Sequence, residues 1–278
     1  MSNQYSEVVQ TAQEYYNSDD ADNFYFHIWG GEDIHVGIYS DDKEPIAQAS
    51  QRTVDTMAKL LGDLPSEAKI IDLGAGYGGA ARCLAKRFGC KVHCINLSET
   101  QNVRNREITR KQGLSDWIEV TDGDFEHLPD QDAEYDVAWS QDSFLHSGAR
   151  AQVMDEMDRV LRSGAKVIFT DPMQADDCPE GVLKPVLDRI HLDSLGSPGF
   201  YREQARRLGW EEVEFVDLTE QLVNHYTRVR KELQGRRDEL KQHVSGAYIE
   251  RMIEGLQHWV DAGNNGYLSW GILLFRKP

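Results

Sequence analysis

The fold is decided by one stretch of sequence, Lys69-Ile70-Ile71-Asp72-Leu73-Gly74-Ala75-Gly76-Tyr77-Gly78-Gly79. Its apolar first half predicts a buried strand over 69–73, and the residues after the glycines have apolar positions at helical spacing. A strand, a glycine turn and a helix form the first half of a βαβ unit that binds nucleotides. Gly74 and Gly76 lack a Cβ where the backbone must turn sharply and approach a ligand. The stretch therefore predicts a ligand held at the start of a helix.

The chain beyond this stretch alternates between predicted helices and strands. Helices are predicted over 78–88, 98–112, 149–162 and 200–208, and strands over 91–95, 117–121, 135–140, 165–170, 212–216 and 267–275. This alternation predicts an α/β fold with a largely parallel sheet and helices on both faces. Ligands of such folds bind at the carboxyl ends of the strands. Asp72, Asn96, Asp124 and Gln141 lie at or just past those ends.

The glycines alone leave the ligand open. The series Gly74-x-Gly76-x-x-Gly79 also fits a dinucleotide fingerprint, and a glycine cluster is sometimes only a structural turn. The second predicted strand ends in Asn96 rather than in the acid expected to bind a ribose diol, which weakens the interpretation as a nicotinamide dinucleotide site.

Two further segments flank the predicted core. Helices are predicted over 5–16 and 45–61, and the aromatic stretch between them is predicted to be too irregular for a long helix. That stretch is either ordinary core or a lid over the ligand. Two long amphipathic helices are predicted as a cap between the sixth and seventh strands. The predicted organisation is a lid segment (1–64), a ligand-binding core (65–216), a helical cap (217–266) and a last core strand (267–278).

The composition limits the partners. The net charge of −17 and the pI near 4.9 argue against nucleic acid and anionic membranes as partners. No apolar run is long enough to cross a bilayer, so we expect a cytoplasmic protein, as a monomer or small homo-oligomer. An acidic surface suits either a halophile or an ordinary acidic enzyme. We expect no metal, because a zinc site from Cys90, His93 and Cys94 would need side chains from both faces of a strand.

Three motifs together resemble the class I S-adenosylmethionine-dependent methyltransferases. They are Asp72-x-Gly74-x-Gly76-x-Gly78, Gly123-Asp124 and Arg159-Val160-Leu161-Arg162-x-Gly164, and the resemblance runs from about residue 69 to 171. It implies a Rossmann-like, seven-stranded, mostly parallel sheet and S-adenosylmethionine as the methyl donor. The donor contacts that it implies involve Asp72, Gly74, Gly76, Asn96, Gln101, Asp124, Phe125 and Gln141.

A pair of motifs narrows the resemblance to amine-methylating enzymes. Tyr25-x-x-x-Trp29-Gly30 and Gln141-Asp142-x-x-x-His146 resemble the tyrosine–histidine arrangement of phosphoethanolamine methyltransferases. This resemblance implies that Tyr25, with Trp29, closes over the donor. It also implies that His146 orients the acceptor amine or removes its proton. Tyr25 and His146 are thus the predicted catalytic residues.

The narrowest resemblance is to the sarcosine/dimethylglycine N-methyltransferases. It is carried by Phe24-Tyr25-x-x-x-Trp29-Gly30-Gly31, His35-x-Gly37-x-Tyr39, Ile95-Asn96-Leu97-Ser98 and Thr170-Asp171-Pro172-Met173-Gln174. It implies successive methylation of sarcosine and dimethylglycine to glycine betaine. The predicted acceptor contacts are Trp29, His146, Pro172, Met173, Tyr201 and Tyr226. The partner of the acceptor carboxylate stays open among Arg52, Arg202, Tyr201 and Tyr226.

Other functions fit parts of the pattern. A phosphoethanolamine or other small-amine methyltransferase is the first alternative, although the acidic chain shows no basic phosphate pocket. A cyclopropane-synthase-like lipid methyltransferase shares the aromatic N-terminal pattern. A protein that binds the donor without catalysis is the alternative from outside the enzymes.

Overall fold

A seven-stranded sheet forms the centre of the fold in the computed structural model, which describes residues 5–30, 32–190 and 192–278. Its spatial order is β3-β2-β1-β4-β5-β7-β6, and β7 alone runs antiparallel to its neighbours. This confirms the predicted Rossmann-like, mostly parallel sheet. Gly31, part of an aromatic motif quoted above, lies outside the described residues. The strands are β1 (Lys69–Leu73), β2 (Lys91–Asn96), β3 (Ile118–Asp122), β4 (Tyr135–Gln141), β5 (Leu161–Thr170), β6 (Glu211–Asp217) and β7 (Gly271–Arg276).

Helices cover the sheet and its carboxyl edge. Apolar side chains of β1 enter two different clusters, since Ile71 and Leu73 pack on one face and Ile70 on the other. The helices are α1 (Glu7–Asn17), α2 (Asp19–Trp29), α3 (Ile46–Leu61), α4 (Gly79–Phe88), α5 (Glu99–Lys111), α6 (Arg150–Val160), α7 (Lys184–Ile190), α8 (Pro198–Arg207), α9 (Thr219–Gly235), α10 (Arg237–Leu240) and α11 (Gly246–Asn264).

The aromatic stretch near the N-terminus is helical, so the prediction of irregular structure was wrong over 19–29. Ser18 caps the helix, because its hydroxyl accepts a hydrogen bond from the Ala21 N–H, and Gly30 ends it at φ +95°. Phe24, Ile28 and their neighbours are buried on one face of α2. The aromatic residues therefore follow a helical period that their density concealed in the sequence.

The segment after β5 contains a helix that was not among the predicted ones. Helix α7 is only seven residues long, and it lies between a short strand pair and α8. The strand pair joins Met173–Gln174 to Leu268–Ser269 in antiparallel register. This small ladder fixes the chain that leaves β5 against the chain that enters β7.

The predicted cap is present between β6 and β7, where α9, α10 and α11 are inserted. The cap and α2 share one apolar cluster, in which Phe24 and Tyr25 pack with Val229, Leu233 and Tyr248. Lid and cap therefore form one continuous wall beside the sheet. Among the described residues, no helix is long and apolar enough to span a membrane.

Candidate active site

The first cavity, called the glycine-loop cavity, lies at the carboxyl ends of β1, β2 and β4. It combines residues of the glycine turn, of the β2–α5 junction and of the segment after β3 with residues of α1. Its lining residues are Val9, Ala12, Tyr16, Ile34, Gly74, Asn96, Leu97, Ser98, Gln101, Asp124, Phe125, Gln141, Asp142, Ser143 and His146. Six of the predicted donor contacts, namely Gly74, Asn96, Gln101, Asp124, Phe125 and Gln141, are thus brought together.

Gly74 has to be glycine for two reasons. Its φ is +76°, and a Cβ built on it would lie 2.4 Å from both Cβ and Oγ of Ser143. Ser143 is itself fixed, because its hydroxyl donates to the Leu73 carbonyl at 3.0 Å. The turn after β1 is therefore held close to the loop after β4, and a bare backbone lines the cavity between them.

The junction of β2 and α5 supplies amide groups. Asn96 Nδ2 donates to Gln101 Oε1 and to Asn102 Oδ1, both at 3.2 Å. Gln101 Nε2 is buried and has no hydrogen-bond partner among the described residues. A buried amide N–H without a partner is costly unless a ligand accepts from it. Gln101 therefore presents an unused donor at the cavity.

The segment after β3 supplies a carboxylate and an aromatic ring. Asp124 Oδ1 accepts backbone hydrogen bonds from Glu126 at 2.8 Å and from His127 at 2.9 Å. The ring of Phe125 packs edge-on against Phe144, with centroids 5.6 Å apart. These contacts fix the carboxylate of Asp124 and the ring of Phe125 at the cavity wall. A carboxylate that accepts hydrogen bonds and an apolar ring face together suit a purine base.

Two predicted donor contacts, Asp72 and Gly76, do not appear among the residues that line this cavity. Asp72 is buried, and its Oδ2 has no partner among the described residues. Burial, with the charge of Asp33 as a smaller cause, raises the pKa of Asp72 to about 7. A Cβ on Gly76 would lie 3.1 Å from Ile34 Cδ1. Direct donor contact by either residue stays a prediction.

The second cavity, called the aromatic cavity, lies between the lid, the cap and the loops after β4 and β5. It shares Ala12, Tyr16, Ile34, Asp142 and His146 with the glycine-loop cavity. The two cavities therefore adjoin, and these five residues are called the shared wall. The aromatic cavity is lined in addition by Thr11, Tyr15, Tyr25, Trp29, His35, Val36, Leu145, Pro172, Arg189, Ile190, His225, Tyr226 and Trp259.

His146 stands in the shared wall and is held there through its own turn. The short 3-10 helix Phe144–His146 is anchored by Asp171, whose Oδ1 accepts from the Leu145 N–H at 2.9 Å. Tyr201 in turn donates its hydroxyl to Asp171 Oδ2 at 2.7 Å. Asp171 and Tyr201 thus fix the turn that carries His146, from the side that faces the core.

The imidazole of His146 is neutral near pH 7. Burial, and then the positive charges of Arg189 and Arg150, lower the pKa of His146 to about 4. Its Nε2 lies 2.8 Å from the hydroxyl of Tyr16. A neutral imidazole in this place orients a substrate by hydrogen bonding, whereas it holds an extra proton weakly.

Among the described residues, the tyrosine whose hydroxyl contacts His146 is Tyr16, which was not predicted as a site residue. The hydroxyl of Tyr25 lies 3.3 Å from that of Tyr15, and its ring lies 5.0 Å from the ring of Trp29. Tyr25 and Trp29 line the aromatic cavity but are absent from the lining of the glycine-loop cavity. This position fits the acceptor contact predicted for Trp29, and the donor contact predicted for both residues stays a prediction. The Tyr15-Tyr16 pair at the end of α1 was the sequence signal that we missed.

The predicted acceptor contacts divide into two groups. Pro172 and Tyr226 line the aromatic cavity, whereas Met173 and Tyr201 are fully buried in the core and line neither cavity. Adjacent residues of an extended segment point in opposite directions, so Pro172 faces the cavity and Met173 faces away. Tyr201 faces Asp171, as described above. Met173 and Tyr201 therefore support the cavity from outside, and substrate contact by them is not seen in this geometry.

Asp142 joins the lid to the sheet and was not predicted as a site residue. Its φ is +52°, a conformation that aspartate tolerates better than most residues. Its Oδ2 accepts from the Val36 N–H at 2.6 Å, and its Oδ1 accepts from Trp270 Nε1 at 2.8 Å. Asp142 thus ties the segment after α2 to the entrance of β7 and closes both cavities on one side.

Known proteins resemble this chain closely. Residues 71–169 match the family model described as "Methyltransferase domain". A sarcosine/dimethylglycine N-methyltransferase of Halorhodospira halochloris is 58% identical over 98% of this chain and 97% of its own length. Another, from Aphanothece halophytica, is 57% identical over 98% of each protein. A crystal structure from Galdieria sulphuraria, described as a candidate sarcosine dimethylglycine methyltransferase, is 44% identical, with a TM-score of 0.90 over 95% of this chain and 98% of that one.

Proposed function

The chain belongs to the sarcosine/dimethylglycine N-methyltransferase family, and from this premise we propose that it methylates sarcosine and N,N-dimethylglycine, with glycine betaine as final product. The methyl donor in this proposal is S-adenosylmethionine, which occupies the glycine-loop cavity. The observation that carries the proposal is the shared wall. Ligands in the two cavities would be neighbours at Ala12, Tyr16, Ile34, Asp142 and His146, which line both cavities.

The glycine-loop cavity has the groups that such a donor needs. Asn96 and Gln101 offer amides to the ribose hydroxyls, and Asp124 offers a carboxylate to the exocyclic amine of adenine. Phe125 supplies an apolar face for the base. The bare backbone at Gly74 lets the methionine part approach β1, where Asp72 is the predicted partner of its amino group.

The chemistry requires an acceptor nitrogen with a free lone pair. The nitrogen attacks the methyl carbon as the bond from that carbon to sulfur breaks, so the three atoms must lie in line. An aliphatic ammonium has a pKa of roughly 10, so the neutral amine is a minor form at neutral pH. His146 is neutral, and in this proposal it orients sarcosine, directly or through the hydroxyl of Tyr16, by accepting a hydrogen bond from the one N–H of the neutral amine. Neutral dimethylglycine has no N–H, so it reacts as the minor neutral form, after its ammonium proton has left to water and freed the lone pair that attacks the methyl carbon.

Aromatic faces suit the charge that moves during transfer. Positive charge leaves the donor sulfur and appears on the acceptor nitrogen. The rings of Tyr25, Trp29 and Tyr226 surround the aromatic cavity, and cations bind to such faces by cation–π attraction. A quaternary ammonium product carries no N–H, so an aromatic lining suits it better than acceptor groups would.

The proposed role of the product is that of a compatible osmolyte in the cytoplasm, in keeping with the net charge of −17.

The test is an assay by mass spectrometry with S-adenosylmethionine and one acceptor at a time. Glycine, sarcosine, dimethylglycine and phosphoethanolamine are compared at low and high salt, with a reaction lacking donor as control. We expect betaine from dimethylglycine and dimethylglycine plus betaine from sarcosine. Product from phosphoethanolamine alone would refute the acceptor assignment. Donor binding without any product would support the binding-protein alternative.

A further inference from the structure

One cation in the aromatic cavity has no anionic partner. Arg189 of α7 lines that cavity, and no carboxylate of the described residues forms an ion pair with it. Its Nε is buried without a hydrogen-bond partner, and one terminal nitrogen meets only the sulfur of Met252 at 3.7 Å. A guanidinium in such surroundings is costly unless an anion completes the site.

The chain makes room for this arginine at a glycine in a helix. A Cβ on Gly255 of α11 would lie 2.2 Å from Cδ, 2.8 Å from Nε and 3.0 Å from Cγ of Arg189. The arginine stem therefore crosses the bare backbone of the cap helix on its way to the cavity. Glycine weakens a helix interior, so its use here needs a reason, and the passage of Arg189 supplies one.

Arg52 and Arg202, the two arginines named above as possible partners of the acceptor carboxylate, are already engaged. Arg52 forms an ion pair with Glu44 and donates to the Ile38 carbonyl. Arg202 lies 2.9 Å from Glu212. Neither residue lines the aromatic cavity. Among the arginines of the described residues, Arg189 is the one that lines it.

We propose that Arg189 binds the carboxylate of the amino-acid acceptor, and that Gly255 is the positioning residue that lets it reach. This inference rests on the proposed function, because it names the group that selects glycine derivatives at the same site. A single carbon separates nitrogen from carboxyl group in these acceptors, so their binding groups must share one cavity. Arg189 and His146 do so. The planar guanidinium matches two carboxylate oxygens at once.

The experiment compares variants that remove the charge, move it or leave it alone. Arg189→Met removes the guanidinium but keeps an apolar stem, and Gly255→Ala displaces the stem. Arg202→Met removes a surface guanidinium and is the matched control. Each variant is assayed for kcat and KM with dimethylglycine, with 2-(dimethylamino)ethanol, which lacks the carboxylate, and with phosphoethanolamine. Calorimetry measures the binding of S-adenosylhomocysteine, and separately of dimethylglycine.

We expect Arg189→Met to raise KM for dimethylglycine about 10- to 100-fold, the range for loss of a charge-assisted hydrogen bond. KM for 2-(dimethylamino)ethanol and the binding of S-adenosylhomocysteine should not change. Gly255→Ala should act in the same direction while the melting temperature holds, because alanine favours a helix. A further variant, Arg189→Ala, leaves room for a free guanidinium ion. This ion at millimolar concentration should restore part of the dimethylglycine affinity of Arg189→Ala, which a purely structural defect would not allow.

Equal effects on both acceptors, or an unchanged KM for dimethylglycine, would overturn the inference while wild-type turnover upholds the proposed function. If the wild type makes no product, binding decides separately. Dimethylglycine that binds the wild type but not Arg189→Met supports the inference without the activity. An effect of Arg189→Met seen only with phosphoethanolamine would assign the arginine to a phosphate and refute the carboxylate.

Discussion

Removing the hydrogen bond between Tyr16 and His146 is the most direct test of the role of the shared wall in catalysis. The hydroxyl oxygen lies 2.8 Å from Nε2, and the two rings pack edge-on with centroids 5.2 Å apart. Tyr16→Phe removes the hydroxyl and keeps the ring. A neutral hydrogen bond contributes about 1 kcal/mol, so we expect kcat with dimethylglycine to fall by roughly 5-fold. The binding of S-adenosylhomocysteine should stay unchanged if the bond serves the acceptor.

A double-mutant cycle isolates the pair. Tyr16→Phe, His146→Asn and the double variant are compared by kcat/KM at saturating donor, and we expect a coupling energy of about 1 kcal/mol. Tyr15→Phe is the matched control, because the hydroxyl of Tyr15 meets Tyr25 and Tyr248 instead. Purely additive effects of Tyr16 and His146, or equal coupling of Tyr15 to His146, would show that the bond does not act in the reaction.

Three other perturbations follow from the same geometry. Gly74→Ala adds a Cβ 2.4 Å from Ser143, in a left-handed conformation that costs about 1–2 kcal/mol. The affinity for S-adenosylhomocysteine, measured by calorimetry, should therefore fall at least about tenfold. An unchanged affinity would contradict the close approach of the backbone to the ligand. Tyr201→Phe removes the hydroxyl that donates a hydrogen bond to Asp171, which anchors the turn of His146, so kcat should fall while the affinity for S-adenosylhomocysteine is unchanged. A loss of that affinity would argue against this positioning role. Burial lowers the pKa of His225 from 6.5 to about 3, so its neutral form stabilises the fold above pH 6.5 and that contribution is lost as the pH falls towards 3. In urea unfolding at pH 7 and pH 5, His225→Asn should therefore lose less stability on acidification than the wild type. Parallel losses in the two proteins would refute the assignment.

Local patterns were sufficient for the core. The strand 69–73, the glycine turn and the strand–helix alternation up to β5 needed only hydrophobic period and turn chemistry, and their predicted bounds lie within a few residues of the observed ones. Helix α2 was missed because aromatic rings also occupy its partly buried positions, Phe26 and His27, which masked the period. Helix α7 was missed because seven residues give too little periodicity to recognise.

The site was predicted where strand ends determine it and missed where distant segments meet. Gly74, Asn96 and Asp124 follow their strands directly, and parallel strands bring their carboxyl ends to one edge. For Arg189, neither a motif nor the end of a strand indicated a site residue. Its proposed role depends on its having no ion-pair partner among the described residues and on Gly255, which lies 66 positions further along the chain. Neither fact is local.

The sequence by itself therefore determined the sheet, the strand-end residues of the glycine-loop cavity and the place of His146 after β4, because each of these follows from a local strand, turn or strand end. The tertiary structure decided which tyrosine meets His146, which side of the segment after β5 faces the cavity, and which arginine lacks an anion. These depend on the packing of lid and cap against the sheet, where α1, α7 and α11 contribute to one wall. Contacts between elements so far apart in sequence are set by the shape of the packed core, and no local pattern encodes them.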